Sequence, residues 1–177
     1  MMLVFLNFDL NIGDSKIGLI PNFLGYWFIL QGLEEVDELS NQFHKVKPLA
    51  KVMIVYSGIN YAIDLFGIFP SIDLFDTVIA DALLVVIFGV LSTILSLLIS
   101  YSIIMGIKDV QDSKKQELNA DNLYSTWKLM AVFSVLTFVL LSIPTIAIVS
   151  IIISFVIAVY YLYTFNKTKV LFCMYNQ

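Results

Sequence analysis

Between Lys128 and Lys167 the chain runs for 38 residues, Leu129–Asn166, without one charged side chain. As a single straight helix this run would measure roughly 57 Å at 1.5 Å per residue, nearly twice the hydrocarbon thickness of a bilayer. Pro144 stands near its middle, in Ser142-Ile143-Pro144-Thr145. Inside a helix it would remove one backbone hydrogen bond and clash with the preceding turn. The run therefore predicts a helical hairpin that turns at Pro144, with arms over 124–143 and 145–164. The alternative, one kinked helix, would push apolar surface out of the membrane.

Three more charge-poor runs stand ahead of it. They predict spans at 17–33, at 52–70 (interrupted only by Asp64) and at 78–106. A charge at mid-bilayer costs at least ~2.5 kcal/mol, so such runs mark where a chain can cross. Residues 1–12 contain Asn7, Asp9 and Asn11 and are short for a full crossing. They are expected to form a half-span or a short sixth span that turns at Gly13-Asp14-Ser15-Lys16. The start has no Lys or Arg and no small-residue cleavage site follows, so it reads as structure rather than as a signal peptide. The composition agrees: 59% hydrophobic, 14% charged and mean hydropathy +0.89, against about 45–50% apolar and about 25% charged in soluble domains. The expected fold is an all-α polytopic transmembrane helical bundle, residues 1–177 forming one integral membrane domain.

The lysines orient it. Lys45, Lys47 and Lys51 fall in one predicted loop, Lys108, Lys114, Lys115 and Lys128 around another, and Lys167 and Lys169 in the tail; only Lys16 falls on the other side. By the positive-inside rule both long loops and the C-terminus are cytoplasmic. Tyr124, Trp127, Tyr160, Tyr161 and Tyr163 then form an aromatic belt at that interface. The segment 34–48 spaces Val36, Leu39, Phe43 and Val46 among charges, as an amphipathic helix on the membrane surface would. Residues 107–122 read as a solvated connector. No Arg is present and the net charge is −4, which excludes nucleic acid as a partner. The expected partners are the lipid bilayer and a membrane protein or a second copy of the chain.

Candidate chemistry is sparse. Tyr56, Asn60 and Asp64 fall at i, i+4 and i+8 on one helix face, and Asp81 begins the next predicted helix at similar depth. Together they could line an outward-facing acidic vestibule for a cation or a cationic solute. The structural alternative makes Asp81 a helix-start residue favoured by the dipole and Asp64 an interfacial carboxyl. Pro21, Asn22, Gly25 and Tyr26 surround a predicted helix N-terminus, which either contacts an anion through its free N–H groups or is a plain turn. Gly89, Ser92, Ser96 and Ser100 form a small-residue stripe that suits close helix packing, with a pore lining as the rival. His44 is alone in a charged loop. Cys173 is the single cysteine, so no disulfide or thiolate metal site forms within one chain. No catalytic residue, metal site or cofactor is expected.

The stretch Ile17-Gly18-Leu19-Ile20-Pro21-Asn22-Phe23-Leu24-Gly25-Tyr26, closing with Gln31-Gly32-Leu33, resembles a Leu-Pro-Asp-Phe-(Ile/Leu)-Gly-Tyr signature. That signature belongs to a group of small, uncharacterised multi-pass membrane proteins of Gram-positive bacteria. Met105-Gly106-Ile107-Lys108-Asp109 and Trp127-Lys128 are similar to the same group's pattern. Asn22 stands where the group has Asp. The resemblance implies the bacterial plasma membrane and carries no activity. The function expected from the residues is that of a non-enzymatic accessory or partner-binding subunit of a membrane complex. The alternative is a solute-binding or transport protein, or a substrate-capture subunit of an importer, using the outward acidic site. The topology is open to direct test. With Cys173→Ser as background, Ser71→Cys should react with an impermeant maleimide in intact cells, and Ser113→Cys only after lysis. Equal labelling of both would overturn the orientation.

Overall fold

The computed structural model of the protein describes residues 9–12, 15–18, 22–66, 78–140 and 144–175. Two short strands, β1 (Asp9–Ile12) and β2 (Ser15–Gly18), precede five helices: α1 (Asn22–Val36), α2 (Asn41–Phe66), α3 (Val78–Lys114), α4 (Ala120–Leu140) and α5 (Pro144–Tyr175). A 3-10 turn, Asp37–Leu39, joins α1 to α2. The described fold is thus helical apart from one hairpin.

Residues 9–12 are thus strand, whereas residues 1–8 of the expected half-span or sixth span lie outside the described residues. β1 and β2 pair antiparallel with Asp9 opposite Gly18 and Ile12 opposite Ser15; residues 13 and 14 lie outside the described residues. Residues 17 and 18 are therefore strand, and the helix expected from 17 begins at Asn22.

The chain divides into two compact units, residues 1–35 with 47–96 and residues 36–46 with 97–177. In the first, α1 buries Tyr26, Ile29 and Leu33 at helical spacing, and α2 buries Ala50, Met53 and Ser57. The Phe23 and Tyr61 rings meet edge to face at 5.8 Å. The Tyr56 hydroxyl donates to the Phe88 carbonyl at 3.3 Å.

The second unit holds the larger buried cluster. Its buried apolar residues include Phe43 and Val46 of α2, Ile99, Ile103, Ile104, Ile107 and Val110 of α3, Leu123 and Met130 of α4, and Ile157 and Tyr161 of α5. Segment 34–48 is consequently no separate surface helix. Its chain turns at Asp37–Leu39, and Ser40 caps α2 by accepting from the Gln42 N–H. α2 then runs on through Pro48, its eighth residue. Proline there leaves the His44 carbonyl without its helical donor. α3 likewise continues through the expected connector to Lys114, which shortens the loop to residues 115–119. Lys115 (φ 51°) closes α3 in the left-handed conformation, and the Gln116 N–H returns to the Gln111 carbonyl. The Gln111 side-chain oxygen accepts from the Leu118 and Ala120 N–H groups, tying the loop to the helix.

α4 and α5 fold back on one another. Thr137 lies 2.9 Å from Ser150 and 3.2 Å from Ser154, contacts that a continuous helix would hold about 20 Å or more apart. The hairpin is present, but Pro144 opens α5 instead of lying in the turn. At a first helical position its missing N–H costs nothing. Residues 141–143, where the connection falls, lie outside the described residues.

One contact in the second unit depends on glycine. A Cβ on Gly106 would overlap three ring carbons of Phe43, which is 2% exposed and has little room to retreat. Gly106→Ala should therefore lower stability by about 1–3 kcal/mol, the usual cost of overpacking, despite its better helix propensity. Phe43→Leu should recover part of the loss in the double variant. Thermal unfolding of the detergent-solubilised chain reads this out, and additive effects would refute the contact.

Candidate functional site

The outward acidic site divides between what the structure describes and what it does not. Tyr56 is half-buried on α2, with its hydroxyl on the Phe88 carbonyl and its ring 6.5 Å from the Phe88 ring. Asn60, one turn further, is exposed. Asp64 and Asp81 belong to α2 and α3, but their side chains lie outside the described residues. The Tyr56 hydroxyl thus ties α2 to α3.

The helix N-terminus at 21–26 is described only from Asn22 onward. Pro21 lies outside the described residues. Asn22 opens α1 with its Oδ1 buried and without a donor. Gly25 and Tyr26 turn inward, and Tyr26 is 3% exposed.

The small-residue stripe of α3 carries helix contacts at two of its four members. Ser96 Oγ donates to the Ser92 carbonyl, so its oxygen is left to accept from the Tyr26 hydroxyl at 2.5 Å. This ties α1 to α3. Ser100, 2% exposed, bonds the hydroxyl of the fully buried Tyr161. Gly89 and Ser92 are half-buried, and their carbonyls accept from Thr93 and Ser96. Thr137 repeats the pattern in α4: it donates to the Phe133 carbonyl and accepts from Ser150 and Ser154. Among the described residues, no group of three or more His, Cys, Asp or Glu is placed to hold a metal ion.

What the helices present outward is apolar. α5 exposes Val149, Ile152, Val156, Tyr163, Val170 and Met174, at steps of three, four and seven that keep to one face. α4 exposes Leu129, Val132, Val135 and Val139 in the same way, and α3 exposes Phe88, Leu91, Ile94 and Leu98. Among the described residues one helical stretch, Val86–Lys114, is long and apolar enough to cross a membrane, its most apolar window having mean hydropathy 2.2. Only 17% of its most apolar window is covered by the rest of the chain. Compared with protein families, with curated proteins and with solved structures, the chain matches none.

At the opposite end of the apolar stretch of α3 lies an aromatic group that mixes belt residues with one the belt omitted. Tyr101 packs 5.1 Å from Trp127, whose ring stacks on Tyr124 at 6.0 Å. The Lys128 ammonium sits 4.2 Å above the Tyr124 ring, within cation–π range. Lys108 pairs with Asp121 at 2.8 Å. The tie between Ser40 and Asp109, at 2.7 Å, was not foreseen. Its one sequence signal is Ser40 standing three residues before Phe43 at the head of an apolar periodic run, the pattern of a helix cap.

The Tyr26–Ser96 bond separates packing from ligand contact. Ser96→Ala would bury the Tyr26 hydroxyl without its acceptor, at a cost on the order of 1–3 kcal/mol, whereas Tyr26→Phe removes donor and need together and should cost less. The double variant should match Tyr26→Phe alone in thermal unfolding. Equal, additive losses would show that the two groups do not act as a pair.

Proposed function

We propose that the protein is a multi-span integral protein of the bacterial plasma membrane, with its C-terminus in the cytoplasm, acting without catalysis as an accessory or partner-binding subunit of a membrane complex. The observation that carries this reading is the run of exposed apolar stripes on α3, α4 and α5, each opposite a packed face of the same helix. Water does not tolerate such stripes in a folded chain, since contiguous apolar patches beyond a few hundred Å² mark a lipid or protein interface. Hydrocarbon and the helices of another membrane protein do tolerate them. The lysine distribution supports the orientation, and the 37-residue length of α3, about 55 Å, supports a tilted or projecting span.

The polar groups support an accessory role over a chemical one. Tyr26, Tyr56, Ser96, Ser100 and Thr137 are engaged with carbonyls or hydroxyls of neighbouring helices. Interhelical bonds of this kind hold membrane helices together at about 0.6 kcal/mol apiece on average. The chain also has little room for a soluble domain: the α3–α4 loop spans five residues, and the α1–α2 joint spans four.

The test is extraction followed by native mass measurement. The chain should resist an alkaline wash of the membranes. In mild detergent it should travel as a particle well above its own 20.0 kDa plus detergent, with a second membrane protein in fixed ratio. Release by alkali would overturn the membrane assignment, and a monodisperse monomer would overturn the partner-subunit assignment.

A further inference from the structure

We propose that the cytoplasmic end of α5 is the docking site for that partner, and that it receives an acidic amphipathic helix of the partner protein. The inference rests on the partner-subunit reading above and names its surface.

α5 is 32 residues, about 48 Å, so it outruns a ~30 Å hydrocarbon layer by several turns. Along its outward face the order of residues is unusual for a lipid-facing helix. Tyr163, 68% exposed, stands where an interfacial aromatic belongs. One turn on comes exposed Lys167, at the point where a lipid-facing stripe normally ends in a cation. The apolar stripe then resumes, with Val170 at 50% and Met174 at 69% exposed. Residues 163, 167, 170 and 174 step by four, three and four, so all share one face. Val170 and Met174 lie roughly 4 and 10 Å beyond Lys167 along the axis, on the aqueous side of the cation.

That order selects the occupant. Anionic lipid headgroups would satisfy Lys167 and Lys169 but leave Val170 and Met174 in water. A second copy would bring apolar residues, but copies inserted the same way would also set lysine beside lysine, and no Asp or Glu follows Asp121 to offset them. A partner helix with apolar residues at three and four spacing, edged with carboxylates, covers Val170 and Met174 and pairs with both lysines.

The test uses the full chain in nanodiscs of phosphatidylcholine and a fluorescein-labelled peptide with Leu at i, i+3, i+4 and i+7 among Glu residues. A peptide of the same composition in scrambled order is the control. The patterned peptide should bind more tightly than the scrambled one. Val170→Gln with Met174→Gln should weaken it by tenfold or more, as should Lys167→Gln with Lys169→Gln, and circular dichroism should show both variants as helical as the parent. Equal binding of the two peptides would overturn the proposal, as would unchanged binding by Val170→Gln/Met174→Gln. So would loss of patterned-peptide binding whenever phosphatidylglycerol is added to the discs, which would assign the lysines to lipid. Efficient bismaleimide linkage of two chains through Cys173 would assign the face to a second copy. If the peptide fails while the chain still runs in a larger particle in mild detergent, the α5 site is wrong and the partner-subunit reading stands; if the chain runs as a monomer, both fall.

Discussion

The long helices of this protein each have two faces with different demands, and most of the rest follows from that. On α5 the inward positions are Ser150, Ile157, Tyr161, Thr164 and Thr168, all nearly fully buried, while Val149, Ile152, Val156 and Tyr163 on the other side are about half exposed or more. A helix that is apolar all round has no hydrophobic reason to choose one face over another when its surroundings are also apolar. Selection then falls to shape and to hydrogen bonds. The buried face is the one with small and hydroxylated residues, which let helix backbones approach closely. Thr164 and Thr168 satisfy their hydroxyls on carbonyls one turn back, those of Tyr160 and Thr164, while Ser150 bonds Thr137 of α4. A hydroxyl satisfied on its own helix can then be buried with no further partner.

The second unit shows how the helix ends are held where the apolar stretches stop. Ser40 caps α2 and donates to Asp109, so one residue satisfies a helix start and ties the α1–α2 joint to α3. A few residues on, Phe43 lies against Gly106, where the missing Cβ lets the ring sit directly on the helix backbone. At the end of α3 the left-handed conformation falls on Lys115, a residue that pays about 1–2 kcal/mol for it where glycine would not. The Gln111 side chain compensates by holding two loop N–H groups at once. Asn119, at φ 61°, repeats the device at the start of α4, where asparagine is among the residues that best accept it.

How far the sequence could be read follows from which forces leave a pattern. The hairpin between α4 and α5 was legible because a 38-residue charge-free run and Pro144 are both local signals with a length scale attached. The helical character was legible for the same reason. The extent of α2 and α3 was not, since Pro48 and the charged residues after Ile107 are signals to stop, whereas Phe43 and Val46 before Pro48 and Val110 after Ile107 are buried within the continuous helices. The hairpin at residues 9–18 was missed because its apolar residues were weighed for span length and not for alternation: Leu10, Ile12 and Ile17 alternate with Asp9, Asn11 and Lys16. Of the candidate site residues, Ser96, Ser100 and Tyr26 were recognisable in kind, but nothing in the spacing said that Tyr26 would be the group to reach Ser96. The ties of Ser40 to Asp109 and of Gln111 to the loop span 69 and seven to nine residues, and such pairings have no periodic signature.

The same physics explains why the polar residues say little about chemistry and the apolar ones say more. A hydroxyl within an apolar bundle is costly unless it is bonded, so Tyr26, Tyr56, Ser100 and Thr137 are tied to neighbouring helices before any ligand could use them. Their presence therefore measures packing. An exposed valine or methionine carries the opposite information, because it costs nothing in hydrocarbon and about 25 cal/mol per Å² in water. Where a stripe lies between the aromatic and lysine levels, lipid alone accounts for it. Where the stripe continues past Lys167 to Val170 and Met174, the lipid account fails at a definite residue. A protein surface becomes the cover that satisfies both the cation and the apolar groups beyond it. On the membrane reading proposed above, the position of Lys167 within an apolar stripe divides the part of α5 assigned to the bilayer from the part assigned to a partner.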